Sequence, residues 1–256
     1  MTLAESFASP LAGTTPASDP APNRAPDPRL ICALDVPTAA EARALVDRVE
    51  DAVGFYKIGL QLFATDGMGL ARALKAENRR VFLDWKLHDI GATVEKAAAA
   101  LADAGCDLLT VHARPQVMAA ARRGVEGSGL KVLGVTVLTS LTAEDVAADD
   151  HSLSPADLVE LRVRQALDSG IDGVVASPHE AARVREIAVA AGRPDFLIVT
   201  PGVRPVGAAM DDQSRAATPE QALRDGATHL VIGRPITAAA DPRAAALAIA
   251  ESIALI

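Results

Sequence analysis

The chain has 256 residues, half of them apolar and 23% charged, so it can bury a large core and is too apolar for disorder throughout. With 25 basic against 33 acidic residues it carries a formal charge of −8, and 3% of its residues are aromatic, which argues against a basic, base-stacking nucleic-acid face. No stretch of about 18 apolar residues is free of charge, so no spanning helix is predicted. The two cysteines, Cys32 and Cys106, form neither a disulfide framework nor a zinc pattern, which fits a reducing, cytoplasmic setting.

Residues 1–29 hold six prolines (Pro10, Pro16, Pro20, Pro22, Pro26, Pro28) among Ala, Ser and Thr. Arg24 and Arg29 are their only basic residues, so neither a cationic signal sequence nor an Arg-rich transit sequence is present. The reading is a disordered tail over 1–28, which offers no apolar surface to dock, followed by a single domain over 29–256. Deleting that tail is expected to leave turnover and melting temperature nearly unchanged.

From Leu30 onward, short apolar, β-branched runs read as buried strands over 30–34, 55–58, 81–83, 108–111, 132–138, 173–175, 196–199 and 229–232. Between them lie Ala-rich segments with Glu, Arg and Leu at helical spacing, such as 38–52, 93–104 and 155–169. Gly54, Gly105, Gly170, Gly192 and Gly226 stand where left-handed helix stops are expected. Strands apolar on both faces, each followed by a helix, predict a parallel sheet covered by helices. Eight strands and eight helices in about 225 residues predict a (β/α)8 barrel. A doubly wound open sheet fits less well, because Asp35-Val36-Pro37-Thr38 follows the first strand where a glycine-rich dinucleotide fingerprint would stand.

Active sites of such barrels lie at the carboxyl ends of the strands. The polar residues there are Asp35, Lys57, then Asp84, Lys86, His88 and Asp89, then His112, Thr139 and Ser140, Ser177, Thr200 and Arg204, and Arg234 after Gly233. Any one of these charges alone is better explained by a solvated strand end or a structural ion pair. Together, two lysines and three aspartates at three consecutive strand ends are a dense cluster. Asp84 and Lys86 are two apart on a strand and so point the same way. Alternating Asp and Lys keep each other charged and supply a poised ammonium proton donor. Gly233 lets backbone approach an anion and Arg234 adds a planar cationic fork, after the last strands, where this barrel holds phosphate. The segment between Val203 and Thr218, with Arg204, Gly207 and Gln213, is long and polar and reads as a lid. Trp85 is expected to face outward under a helix. Cys32 and Cys106 read as small buried hydrophobes, and His88, His112, His151, His179 and His229 as exposed or packing residues rather than ligands.

The strings Ala33-Leu34-Asp35-Val36, Tyr56-Lys57-Ile58-Gly59, Asp84-Trp85-Lys86-Leu87-His88-Asp89-Ile90, Val137-Leu138-Thr139-Ser140, Thr200-Pro201-Gly202-Val203-Arg204-Pro205, Asp212-Gln213 and Val231-Ile232-Gly233-Arg234-Pro235 together resemble the orotidine 5′-phosphate decarboxylase family over about residues 29–256. The D-x-K-x-x-D string is shared with sister sugar-phosphate enzymes; its combination with Lys57, Gln213 and both arginines is more specific. The resemblance implies decarboxylation of orotidine 5′-monophosphate to uridine 5′-monophosphate in pyrimidine biosynthesis, with no cofactor and no metal, in the cytoplasm, by a homodimer. It implies that Asp35, Lys57, Asp84 and Lys86 form the charged array, with Lys86 the proton donor. Asp89, Ile90 and Thr93 would contribute to the partner subunit's site. Thr139, with Ser140 as the adjacent choice, would hold the pyrimidine. Pro201, Arg204, Gln213, Gly233 and Arg234 would hold phosphate and base edges. The runner-up is a Mg-dependent keto-sugar-phosphate decarboxylase or aldolase of the same wider family, in which an acidic residue replaces the second-strand lysine. A catalytically dead barrel used as a scaffold is a third reading, against which the complete residue set speaks.

Overall fold

A computed structural model describes residues 25–148, 152–205 and 217–256. Eight parallel strands close into a barrel in sequence order: β1 (Leu30–Ala33), β2 (Phe55–Gly59), β3 (Arg80–Leu87), β4 (Leu108–His112), β5 (Lys131–Val135), β6 (Gly173–Val175), β7 (Leu197–Pro201) and β8 (His229–Ile232), with β8 pairing back to β1. Every connection between strands carries helix, as the sequence predicts. The helices are α1 (Ala39–Val49), α2 (Leu60–Phe63), α3 (Gly67–Ala76), α4 (Gly91–Asp103), α5 (Pro115–Gly124), α6 (Ala143–Ala148), α7 (Pro155–Asp168), α8 (Ala181–Ala190), α9 (Pro219–Arg224), α10 (Arg234–Thr237) and α11 (Pro242–Ile253). The expectation of eight helices is therefore too low: α2, α6 and α10 are additional short turns just beyond β2, β5 and β8.

Strand parity sorts the core into two layers. Ile31, Phe55, Phe82, Leu108, Leu133, Val199 and Val231 fill the barrel interior, while residues of opposite parity, such as Cys32, Tyr56, Leu83 and Ile198, pack under the helices. The two cysteines are buried, and burial pushes the Cys32 thiol up to about 12 and that of Cys106 to about 11, so both stay inert thiols. Polar side chains at the amino-terminal rim pin the register. Asp107 accepts the Val81 N–H, Asp172 that of Val132, and Thr228 that of Ile198, at 2.8 to 3.0 Å.

Three local expectations change. The third strand runs to Leu87 rather than Leu83, because its β4 register shifts between Leu83 and Leu87 and a bulge keeps the charged residues on the strand. The fifth strand stops at Val135 rather than Leu138: its neighbours end at that level, at His112 and Val175, leaving nothing further to pair with. Gly54 is not a helix stop, since α1 ends at Glu50 with φ 53°, and Asn78 takes φ 59° after α3. Gly54 instead lies against Pro26, whose ring would sit 2.9 Å from a Cβ there. Gly105, Gly170, Gly192 and Gly226 do take positive φ, as expected. Before the first strand, Asp27 pairs with Arg29, which also donates to the Ile253 carbonyl at 2.8 Å, so the chain is tied to the barrel from Pro26 onward.

Candidate active site

The carboxyl ends of the strands surround a cavity of about 490 Å³, within the usual range for a small-molecule site. One wall is a chain of alternating charges. Lys57 Nζ donates to Asp35 Oδ1 at 2.8 Å and lies 3.6 Å from Asp84 Oδ2; Lys86 Nζ donates to Asp84 Oδ1 at 2.8 Å. Gly59 leaves room for this crossing, since a Cβ there would stand 3.0 Å from Asp35 Oδ1 and 3.1 Å from Lys57 Nζ. Burial alone would raise the Asp84 carboxyl, but Lys57, Lys86 and the Thr110 hydroxyl more than offset it and hold it below the usual carboxylate range.

Lys86 reaches Asp84 by an unusual route. Its φ is 48°, a left-handed conformation that a side chain rarely adopts without support. Thr110, fully buried on β4, supplies that support: its Oγ1 accepts the Lys86 N–H and donates to Asp84 Oδ1, both at 3.0 Å. Thr110 is not among the residues predicted from the sequence, although its signal is present there. It shares strand parity with Leu108 and His112, so the one polar residue within the apolar run 108–111 faces inward.

On the other side of β1, the rim at β7 and β8 carries the remaining cations of the cavity. Arg204 follows β7, Gly233 follows β8 and Arg234 opens the short helix α10. A Cβ on Gly233 would make only ordinary contacts, 3.6 Å to Ala33 and 4.0 Å to Asp35, so packing does not demand glycine there. The space it leaves opens into the cavity. Thr139, Ser140 and Pro201 also line the cavity, as do Val135, Val137 and Leu138.

Not every predicted residue is gathered here. Asp89 and Ile90 lie outside the cavity between β3 and α4, and Thr93 in the first turn of α4, all three exposed; among the described residues Asp89 Oδ1 accepts only the Ile90 N–H, at 2.6 Å, and Ile90 is 69% exposed. Gln213, and most of the expected lid, fall outside the described residues, although the segment's two ends meet where Val203 bridges Ala217. Trp85 faces outward, 4.6 Å from the Phe63 ring, as parity predicts. His88 and His112, which the sequence did not pair, stand with ring centres 5.2 Å apart.

Residues 28–249 match the family model described as Orotidine 5′-phosphate decarboxylase / HUMPS family. The chain belongs to that family. An orotidine 5′-phosphate decarboxylase from Caulobacter vibrioides (strain NA1000 / CB15N) is 64% identical over 228 residues, covering 89% of this chain and 98% of the relative. One from Cereibacter sphaeroides is 55% identical, covering 87% and 96%. The crystal structure of orotidine 5′-phosphate decarboxylase from Lactobacillus acidophilus superposes with a TM-score of 0.76 at 35% identity, covering 89% of this chain and 99% of the other. Membership in the orotidine 5′-phosphate decarboxylase / HUMPS family thus extends over the whole barrel and every strand end that lines the cavity. Among the described residues no helix is long and apolar enough to cross a membrane, and no group of three or more His, Cys, Asp or Glu is arranged to hold a metal ion.

Proposed function

We propose that this chain decarboxylates orotidine 5′-monophosphate to uridine 5′-monophosphate. The observation that carries the reading is the Asp35–Lys57–Asp84–Lys86 chain of contacts lining one cavity together with Arg204, Gly233 and Arg234. Such a lining suits a ligand that carries both a reacting carboxylate and a phosphate. Curated relatives of that name at 52–64% identity support the same substrate.

Loss of CO2 from carbon 6 of the pyrimidine leaves its bonding electron pair on an sp² carbon. The barrier reduction required is roughly 20 kcal/mol, near the top of the enzyme range. Fixed positive charge at the site where the anion develops is the largest available term, and the Lys86 ammonium supplies it. The electron pair then takes a proton from that ammonium, and the neutral amine recovers one from solvent. Asp84, held ionised, keeps Lys86 aimed and charged. Lys57 stands between Asp35 and Asp84, where a metal-dependent relative would need a carboxylate, so the chemistry is assigned to lysine rather than to Mg²⁺.

The reading includes a homodimer with shared sites. Asp89 and Thr93 stand outside their own chain's cavity beside the exposed Ile90, an arrangement that serves a site in a second copy. The test of the function is direct: orotidine 5′-monophosphate is mixed with protein in excess chelator while pyrimidine absorbance and CO2 are followed. One CO2 and one uridine 5′-monophosphate per substrate, unaffected by chelator, is the expected result. Activity that disappears with chelator and returns with Mg²⁺ overturns it.

A further inference from the structure

Val135, Val137 and Leu138 line the catalytic cavity on one face and a second cavity, of about 190 Å³, on the other. The charged and titratable lining of this second cavity is wholly cationic or imidazole. His88 enters from beyond β3, His112 from the end of β4, Arg114 from the start of α5, and Arg162 from α7. No carboxylate belongs to its lining among the described residues.

Arg162 is the most telling of the four. It is 7% exposed, yet its one side-chain hydrogen bond among the described residues is to a neutral acceptor, Gln165 Oε1, at 2.9 Å. A guanidinium held mostly out of water, with donors facing a cavity and no counter-charge among the described residues, is costly unless an anion enters. The neighbours add to the imbalance. Burial, then His88, Lys86, Arg114 and Arg162, all act to lower the pKa of His112. Burial and Arg114 likewise disfavour the charge on Arg162. Apolar Leu141, Val146 and Leu158 close the remaining wall and limit the space to a small ion.

We propose that this second cavity binds a small, multiply charged oxyanion of the sulfate or phosphate type, held by the Arg162 and Arg114 guanidiniums with His88 and His112 beside them. Arginine forks match the edge of such an ion, and a lysine or a lone imidazole would not. The volume, well under half that of the catalytic cavity, excludes a nucleotide.

Sulfate is the probe, because its charge is constant across the neutral range. Binding is measured by calorimetry on the full chain with uridine 5′-monophosphate saturating the catalytic cavity. Saturation is checked first, and failure of the nucleotide to bind counts against the proposed function, leaving the sulfate comparison between variants to decide this site. Wild type is expected to take up one sulfate per chain. Arg162→Met and, separately, the exposed Arg114→Ala should each weaken that uptake about tenfold or more while nucleotide affinity stays unchanged. Arg114→Ala removes no buried group, so it carries the test if Arg162→Met fails to fold. No sulfate uptake by wild type up to about 50 mM overturns the proposal. Uptake that is equally strong in the folded variants places the ion elsewhere and overturns it as well.

Discussion

Thr110 is the residue through which three other features depend on one another: the bulge in β3, the left-handed backbone at Lys86 and the ionised state of Asp84. Thr110→Val keeps the shape and removes the hydroxyl, leaving a buried Lys86 N–H unpaired at a cost of about 1–3 kcal/mol. Asp84 also loses one of the bonds that lower its pKa. The carboxyl therefore titrates at higher pH in the variant, and the acid limb of kcat/KM should move upward. We expect kcat to fall about 10- to 100-fold, with Thr110→Ser recovering most of it. A pH–rate profile measures both effects; an unmoved acid limb would show that Thr110 acts on packing alone. At this scale most of the site was legible, because Asp35, Asp84 and Lys86 stand where apolar runs break off and Lys57 puts a full charge inside one. Thr110 was hidden because it interrupts such a run from within, and only its inward parity distinguishes it.

Among the strands and helices, β8 carries a partly buried titratable group away from the chemistry. His229 starts that strand, edge-on to Phe55 at 6.0 Å, with Arg80 stacked over the same ring. Burial, then Arg80 and Lys131, depress its pKa to about 4. The unfolded chain binds the proton first as pH falls below about 6.5, so stability declines from there toward pH 4. From about pH 7 to 4.5 this one group should cost roughly 2 kcal/mol, which His229→Gln should spare. Denaturant melts of both proteins at the two pH values test it, and equal losses would sink the assignment. Element existence was legible in the alternation of apolar runs with Ala-rich segments. Element ends were less so, since they depend on neighbours: β5 stops where β4 and β6 stop, and β3 continues because a bulge lets it.

For the molecule as a whole, the closed barrel followed from strands apolar on both faces, whereas the proposed sharing of sites between subunits has no periodic trace in one chain. Its sign is geometric: Asp89 belongs to the charged motif yet stands outside its own cavity. Mixing two inactive variants, Lys86→Ala and Asp89→Ala, and letting subunits exchange should make about a quarter of all sites intact under twofold symmetry. Activity that stays at the parental level after proven exchange would place Asp89 in its own chain's site.

In the proposed mechanism one ammonium, that of Lys86, aimed by Asp84 and Thr110, stabilises and protonates the carbanion. The decisive measurement is turnover of orotidine 5′-monophosphate by wild type and by Lys86→Ala, in chelator and with equal folding established by melts. Sustained conversion by wild type and a loss of about 1,000-fold or more in kcat for the variant are expected. A Lys86→Ala protein that folds and turns over at close to the wild-type rate would contradict that mechanism.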